Sequence, residues 1–85
     1  MDFVVYILYS RTSGKSYVGF TQDLLNRFKS HNVLSKVGFT AKYRPWELVH
    51  VEFFETKKEA MLREKYFKSG RGLYLKKEII QRYLR

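Results

Sequence analysis

The chain opens with an unbroken run of β-branched and aromatic side chains. Between Phe3 and Tyr9 both alternate sets of positions are apolar, which is typical of a strand covered on both faces. The run therefore predicts a central strand. Residues 10–14 favour a turn and residues 15–20 a second strand, and the short connection between them favours an antiparallel hairpin.

The segment after the hairpin has the spacing of a helix. Thr21 or Asp23 can cap its start, and the pattern continues to about Asn32. Its apolar stripe is expected to consist of Leu24, Leu25 and Phe28. Residues 33–46 show no period, since Gly38, a proline and scattered basic residues interrupt it, and an irregular loop is expected there.

A third strand and two more helices complete the pattern. Residues 47–55 predict the strand. Thr56, with Glu59 three positions later, matches a capping box and starts a helix that should end near Gly70. Leu73 to Leu84 predicts a last helix. The order ββαβαα predicts an α+β fold, in which helices pack against a small three-stranded, mostly antiparallel sheet.

Length and composition narrow the class of protein. Residues 1–85 are expected to form one domain. The absence of cysteine excludes disulfides, thiolate zinc sites and a cysteine nucleophile. No stretch approaches the ~20 apolar residues of a membrane span, and Asp2 before a strand-like run is unlike a basic signal peptide. These features favour a cytoplasmic protein that does not bind a membrane.

The charge is strongly positive and unevenly placed. The net charge is +9, and residues 56–85 contribute +7 of it, with ten Lys or Arg against three Glu. A basic half favours a polyanionic partner, because phosphates that bind lysine and arginine release their counterions. Basicity that serves solubility alone is the alternative interpretation.

Glu64 occupies an unusual position on the second long helix. At ~100° per residue it falls between Phe67 and Met61, inside the apolar stripe that includes Ala60. A carboxylate there must be paired, hydrogen-bonded or bound to a cation. An ion pair with Lys68, Arg63 or another basic group is the structural alternative to a metal ligand.

Arg27 and His31 are four residues apart, so a regular helix would place them on one face. They flank the apolar stripe. A guanidinium there could bind a phosphate bidentately, and the imidazole could donate a hydrogen bond or transfer a proton. The alternative is a surface arginine and a half-buried, hydrogen-bonded histidine.

Tyr6 and Tyr17 are expected on one face of the hairpin. Any antiparallel register that pairs Tyr6 with an odd-numbered residue between 15 and 19 gives this result. A phenol acts as a base only when its pKa of about 10 is lowered. Core packing with the hydroxyl at the rim is the alternative. Gly19 permits either a close backbone approach or a turn.

Taken in order, these residues resemble the GIY-YIG nuclease superfamily, and in particular its small single-domain members. The resemblance is carried by Val5-Tyr6-Ile7, by Tyr17-Val18-Gly19, by Arg27 and His31 on the following helix, and by Glu64 within the segment 63–70. It extends over nearly the whole chain. The first motif begins with Val5 where the family name has glycine, and Lys76 and Lys77 stand where many members have an asparagine.

The resemblance implies a divalent-metal-dependent endonuclease that hydrolyses DNA, with a link to DNA repair. Tyr6 would act as general base or orient the attacking water, and Tyr17 would position the water or the phosphate. Arg27 would stabilise the phosphorane, and His31 would assist proton transfer. Glu64 would hold Mg²⁺ or Mn²⁺, for which one carboxylate with water and phosphate suffices. No small-molecule cofactor is expected.

Five further residues are candidates for binding DNA, or RNA, through the backbone. They are Lys15, Lys68, Arg71, Lys76 and Lys77. Two other functions stay open. The first is a nucleic-acid-binding module of the same fold with weak or absent catalysis, which the missing asparagine favours. The second is a basic domain that binds an acidic protein. Substrate structure and oligomeric state have no signal in the sequence.

Overall fold

A three-stranded antiparallel sheet forms the centre of the computed structural model, which describes residues 2–34 and 38–85. The strands are β1 (Phe3–Tyr9), β2 (Ser16–Thr21) and β3 (Glu47–Phe54), in the order β2-β1-β3. Five consecutive residues of β1 are buried. The double-sided apolar pattern therefore identified the central strand, and the α+β fold class is confirmed.

The first helical region departs from the expected pattern. Helix α1 (Leu24–Lys29) starts at the cap Asp23, but it continues as a π-helical turn (Ser30–Leu34) instead of a regular helix to residue 32. A short helix α2 (Phe39–Lys42) lies within the expected loop, of which residues 35–37 are outside the described part. Leu25 does not belong to the apolar stripe, since it is 77% exposed.

Two longer helices follow β3. Helix α3 (Lys57–Phe67) is capped by Thr56, whose hydroxyl oxygen accepts the Glu59 amide N–H at 3.2 Å. Gly70 has a φ of +55°, which suits glycine at a helix end, and it starts helix α4 (Gly70–Leu84) three residues earlier than expected. None of the helices over residues 2–34 and 38–85 is long and apolar enough to cross a membrane.

Apolar side chains form two clusters, one on each face of the sheet. The first cluster joins β1 and β2 to α3 and α4, and its buried members are Val5, Ile7, Val18, Ala60, Phe67 and Ile80. The second lies under α1 and α2, with Tyr6, Leu8 and Trp46 as its buried members and Leu24 and Phe28 packed against them. Tyr6 therefore belongs to the apolar core of the second face.

The register of the hairpin fixes where the tyrosines point. Tyr6 lies opposite Gly19, and Leu8 lies opposite Tyr17. Since residues opposite each other in an antiparallel pair point the same way, both phenols project from one face, as expected. The face is the one that α1 covers.

Candidate active site

A solvent-open cavity of about 510 Å³ lies along β2, the edge strand beside β1. It brings together four of the five residues that sequence analysis singled out, namely Tyr6, Tyr17, Arg27 and Glu64. The sheet supplies the tyrosines, α1 supplies the arginine and α3 supplies the acid. A hydroxyl pair, a cation and a carboxylate facing one space match the needs of phosphodiester chemistry.

Tyr6 forms the inner wall of this cavity and is only 1% exposed. Its hydroxyl lies 2.9 Å from Nε2 of His31. Burial, followed by the neighbouring Tyr17, raises the pKa of Tyr6 well above its ordinary value, while Arg27 opposes the rise. The phenol is therefore protonated at neutral pH. Its O–H donates to Nε2 in the tautomer of His31 that carries the ring proton on Nδ1.

His31 sits behind Tyr6 and does not line the cavity. It is 6% exposed, and its ring centroid lies 4.7 Å from that of Tyr17. Burial, and then the charge of Arg27, lower the pKa of His31 below its usual value. The imidazole is therefore neutral near pH 7, and in its Nδ1-protonated tautomer Nε2 accepts the hydrogen bond of the Tyr6 hydroxyl.

Gly19 makes room for the Tyr6 phenol across the strand pair. A Cβ at this position would lie 2.5 Å from the Tyr6 hydroxyl oxygen and 2.7 Å from its Cζ, and 3.1 Å from Cε1 of Tyr17. Of the two roles that sequence analysis left open for this glycine, the structure therefore favours close approach. The backbone at this point forms part of the cavity wall.

Glu64 points into the cavity with its side chain 21% exposed. Its ion pair is a loose contact of 3.6 Å to Lys68, whose side chain is half exposed. Arg63, the other suggested partner, instead binds Glu52 through two hydrogen bonds of 2.7 and 3.0 Å. The carboxylate thus keeps the solvent access that a metal ligand requires.

The donors in the cavity fit a hard divalent cation. Across residues 2–34 and 38–85 there is no group of three or more His, Asp or Glu side chains that could enclose a metal. Mg²⁺ is commonly held by one or two carboxylates together with water and substrate phosphate. Glu64, beside two phenolic oxygens and an open space for water, meets that description.

Three polar side chains of the cavity were not among the site residues predicted from the sequence. They are Lys57, Gln22 and Thr21, of which Thr21 was considered only as a helix cap. Lys57 stands seven residues before Glu64, and two helical turns place both on one face of α3. That spacing could have identified the lysine, whereas Gln22 lies between β2 and α1 where no periodicity applies.

The five expected nucleic-acid-binding residues come from the β1–β2 connection, the end of α3 and helix α4. Lys68 is exposed beside Glu64, and Arg71 is exposed at the start of α4. Lys15 lies above the Tyr43 ring, with Nζ 5.7 Å from its centroid. Lys76 and Lys77 line a different cavity from the one that contains Glu64.

The chain is similar to several known proteins. A family model described as the GIY-YIG catalytic domain matches residues 2–77. The UPF0213 protein YazA of Bacillus subtilis is 48% identical over 52 residues, which are 61% of this chain and 52% of that protein. The UPF0213 protein CPE1444 of Clostridium perfringens is 42% identical over 64 residues, which are 75% and 68% of the two chains.

A solved structure resembles this fold as well. The solution NMR structure of the UPF0213 protein BH0048 from Bacillus halodurans matches with a TM-score of 0.55 and 32% identity. The match covers 95% of this chain and 84% of that one. The chain spans about half the length of the Bacillus subtilis relative that it matches.

Proposed function

The chain belongs to the GIY-YIG family of nuclease-type domains, and from that premise we propose that it is a divalent-metal-dependent endonuclease that hydrolyses DNA phosphodiester bonds. One observation carries the proposal. Tyr6, Tyr17, Arg27 and Glu64, drawn from four elements of the fold, line a single solvent-open cavity of about 510 Å³. Such a convergence is hard to explain by core packing alone, since Arg27 is exposed and Glu64 has solvent access.

The proposed reaction begins with proton transfer through Tyr6. An attacking water gives its proton to the Tyr6 hydroxyl oxygen while Tyr6 passes its own proton to Nε2 of His31, 2.9 Å away. Because the pKa of Tyr6 is raised, the phenol is not ionised at neutral pH, and it acts as a proton relay. The lowered pKa of His31 keeps the imidazole neutral and able to receive the proton.

Charge on the phosphate is the second requirement of the reaction. As the water oxygen bonds to phosphorus and the bond to the leaving oxygen breaks, negative charge develops on the phosphoryl oxygens. Arg27 and Lys57 line the cavity and offer positive charge at that point. Tyr17 orients the water or a phosphoryl oxygen, and solvent protonates the leaving oxygen.

Glu64 is the residue that would hold the cation. When bound there, Mg²⁺ or Mn²⁺ supplies Lewis-acid stabilisation of the phosphate charge. The carboxylate is suited to this role because its ion pair with Lys68 is long and exposed, and so is easily replaced by a divalent ion.

A cleavage assay tests the proposal. Labelled duplex, branched and single-stranded DNA are incubated with Mg²⁺ or Mn²⁺, together with an RNA strand. Glu64→Gln and Arg27→Ala are each expected to lower the cleavage rate by about 10²–10³-fold, since each removes a group that stabilises the transition state. Glu55→Gln is the matched control, because Glu55 is an exposed acid outside the cavity.

The outcomes separate two functions. Cleavage that is lost with chelator and in both cavity variants, but kept in the control, supports the endonuclease. Cleavage that survives chelator and both substitutions contradicts it. Salt-sensitive DNA binding without turnover under any divalent ion would instead support a binding module, which the position of Lys76 and Lys77 outside the cavity favours.

A further inference from the structure

A second cavity, of about 260 Å³, lies where the closed end of the β1–β2 hairpin meets α4. Its polar lining consists of Lys76, Lys77, Ser16 and Gln81, and its apolar walls include Tyr9 and Ile80. No residue of this lining belongs to the cavity that contains Glu64. The two cavities nevertheless share an element, because Ser16 and Tyr17 are neighbours on β2.

Two ammonium groups face this cavity without a counter-ion. No ion pair joins Lys76 or Lys77 to any carboxylate in the part of the chain that the structure describes. On the same helix, by contrast, Arg82 pairs with Glu78 at 2.6 Å. Lys76 is half-buried, and burial together with the charge of Lys77 lowers its pKa. An anion in the cavity would relieve both effects.

We propose that this second cavity binds a backbone phosphate of the nucleic acid, at a distance from the bond that is cut. Two lysines, a hydroxyl and an amide all offer donors that a phosphodiester accepts, and the apolar walls suit the sugar. The proposal rests on the proposed function for the identity of the ligand, but it concerns binding and not hydrolysis.

β2 sets an upper limit on the spacing between the two contacts, because Thr21 lines the cavity of Glu64 at one end of the strand and Ser16 lines the second cavity at the other end. Five steps of ~3.4 Å place these two residues about 17 Å apart. A DNA strand rises ~3.4 Å per nucleotide, so about five nucleotides bridge the far ends of the two cavities. A stem of about three base pairs does not span this distance.

DNA hairpins with a long stem of about 18 base pairs and with a short stem of about three base pairs are compared as ligands. Affinity is measured by fluorescence anisotropy with chelator present. The double variant Lys76→Gln, Lys77→Gln is expected to lose about 8-fold in affinity per phosphate contact at 0.1 M salt for the long stem. It should bind the short stem as wild type does.

A matched control removes the same charge elsewhere. Lys29 and Lys58 are exposed and line neither cavity, so Lys29→Gln with Lys58→Gln should change the long-stem affinity far less. Equal losses in both double variants, equal losses for both stems, or no loss at all would overturn the inference. Polyglutamate that displaces the DNA as effectively as unlabelled DNA does would also overturn the inference, because it would indicate an acidic protein partner.

The second phosphate site and the endonuclease activity can fail independently of each other. If the protein cuts no DNA but binds the long stem in a lysine-dependent way, the second phosphate site is supported and the endonuclease is contradicted. If cleavage proceeds normally while the lysine variants bind both stems like wild type, the endonuclease is supported and the second phosphate site is contradicted. Melting temperatures verify folding, and removal of a half-buried unpaired charge should not lower them.

Discussion

Replacing Gly19 with alanine should displace the Tyr6 phenol and lower the activity of the site. The Cβ of Gly19→Ala would lie 2.5 Å from the Tyr6 hydroxyl oxygen, whereas ordinary contact begins at 3.4 Å. The oxygen must therefore move by about 0.9 Å. Tyr6 is 1% exposed and packs within the second apolar cluster, so its ring can move only toward the cavity that it lines, which does not include His31.

Both stability and activity should respond. A displacement of this size stretches the 2.9 Å hydrogen bond to His31 beyond bonding distance. Overpacking costs about 1–3 kcal/mol, and a buried group left without its partner costs about 1–3 kcal/mol more. A displacement of about 1 Å in a reacting group can lower a rate by 10²-fold, and we expect a loss of that order in kcat/KM.

Urea denaturation and initial cleavage rates measure the two effects. Gly14→Ala is the control, because Gly14 has a φ of +72° and open space at its Cβ position. It should cost about 1–2 kcal/mol through backbone strain and leave the cleavage rate unchanged. A Gly19→Ala protein that cuts DNA at the wild-type rate would refute the assigned position of Tyr6, as would a loss of activity equal to that of Gly14→Ala.

Four further predictions concern His31, Gly72 and the start of α3. Because the pKa of His31 lies below 6.5, the cleavage rate should fall only as pH drops below that value, and an acidic limb centred above it would contradict the relay through Tyr6. The unfolded imidazole binds protons first on acidification, so the free energy of unfolding should also fall below pH 6.5, by at most about 1.4 kcal/mol per unit. Gly72→Ala would drive its Cβ into the backbone carbonyl of Tyr66, and urea denaturation should show a loss of at least about 3 kcal/mol. Thr56→Ala removes the cap of α3 and should cost about 1 kcal/mol with little change in cleavage, whereas abolished cleavage would mean that the cap also positions the site.

Local patterns were sufficient to predict the sheet and the shared face of the two phenols. Strand side chains alternate with a period of two, so the parity of Tyr6 and Tyr17 follows from any reasonable register of the hairpin. The apolar run of β1 likewise required no tertiary information. Glu64 could be singled out because a carboxylate inside an apolar stripe must have a partner or a solvent path.

Features that depend on contacts between distant elements could not be predicted in the same way. Arg27 and His31 were expected as neighbours on a regular helix, but the π-helical turn separates their roles, with Arg27 facing solvent and His31 buried behind Tyr6. Which cavity Lys76 lines depends on how closely α3 and α4 approach each other. The two helices can approach so closely only because Gly72 has no Cβ, and the periodicity of the sequence does not indicate this requirement.

The proposed relay phenol is also a structural side chain of the core. Tyr6 packs with Leu8 and Trp46, and its backbone in the central strand is paired on both sides. Its position is therefore expected to be lost only when the pairing of the sheet is lost. Heat should therefore inactivate this protein in the same cooperative step that melts it, and a partly unfolded form that still cuts DNA should never accumulate.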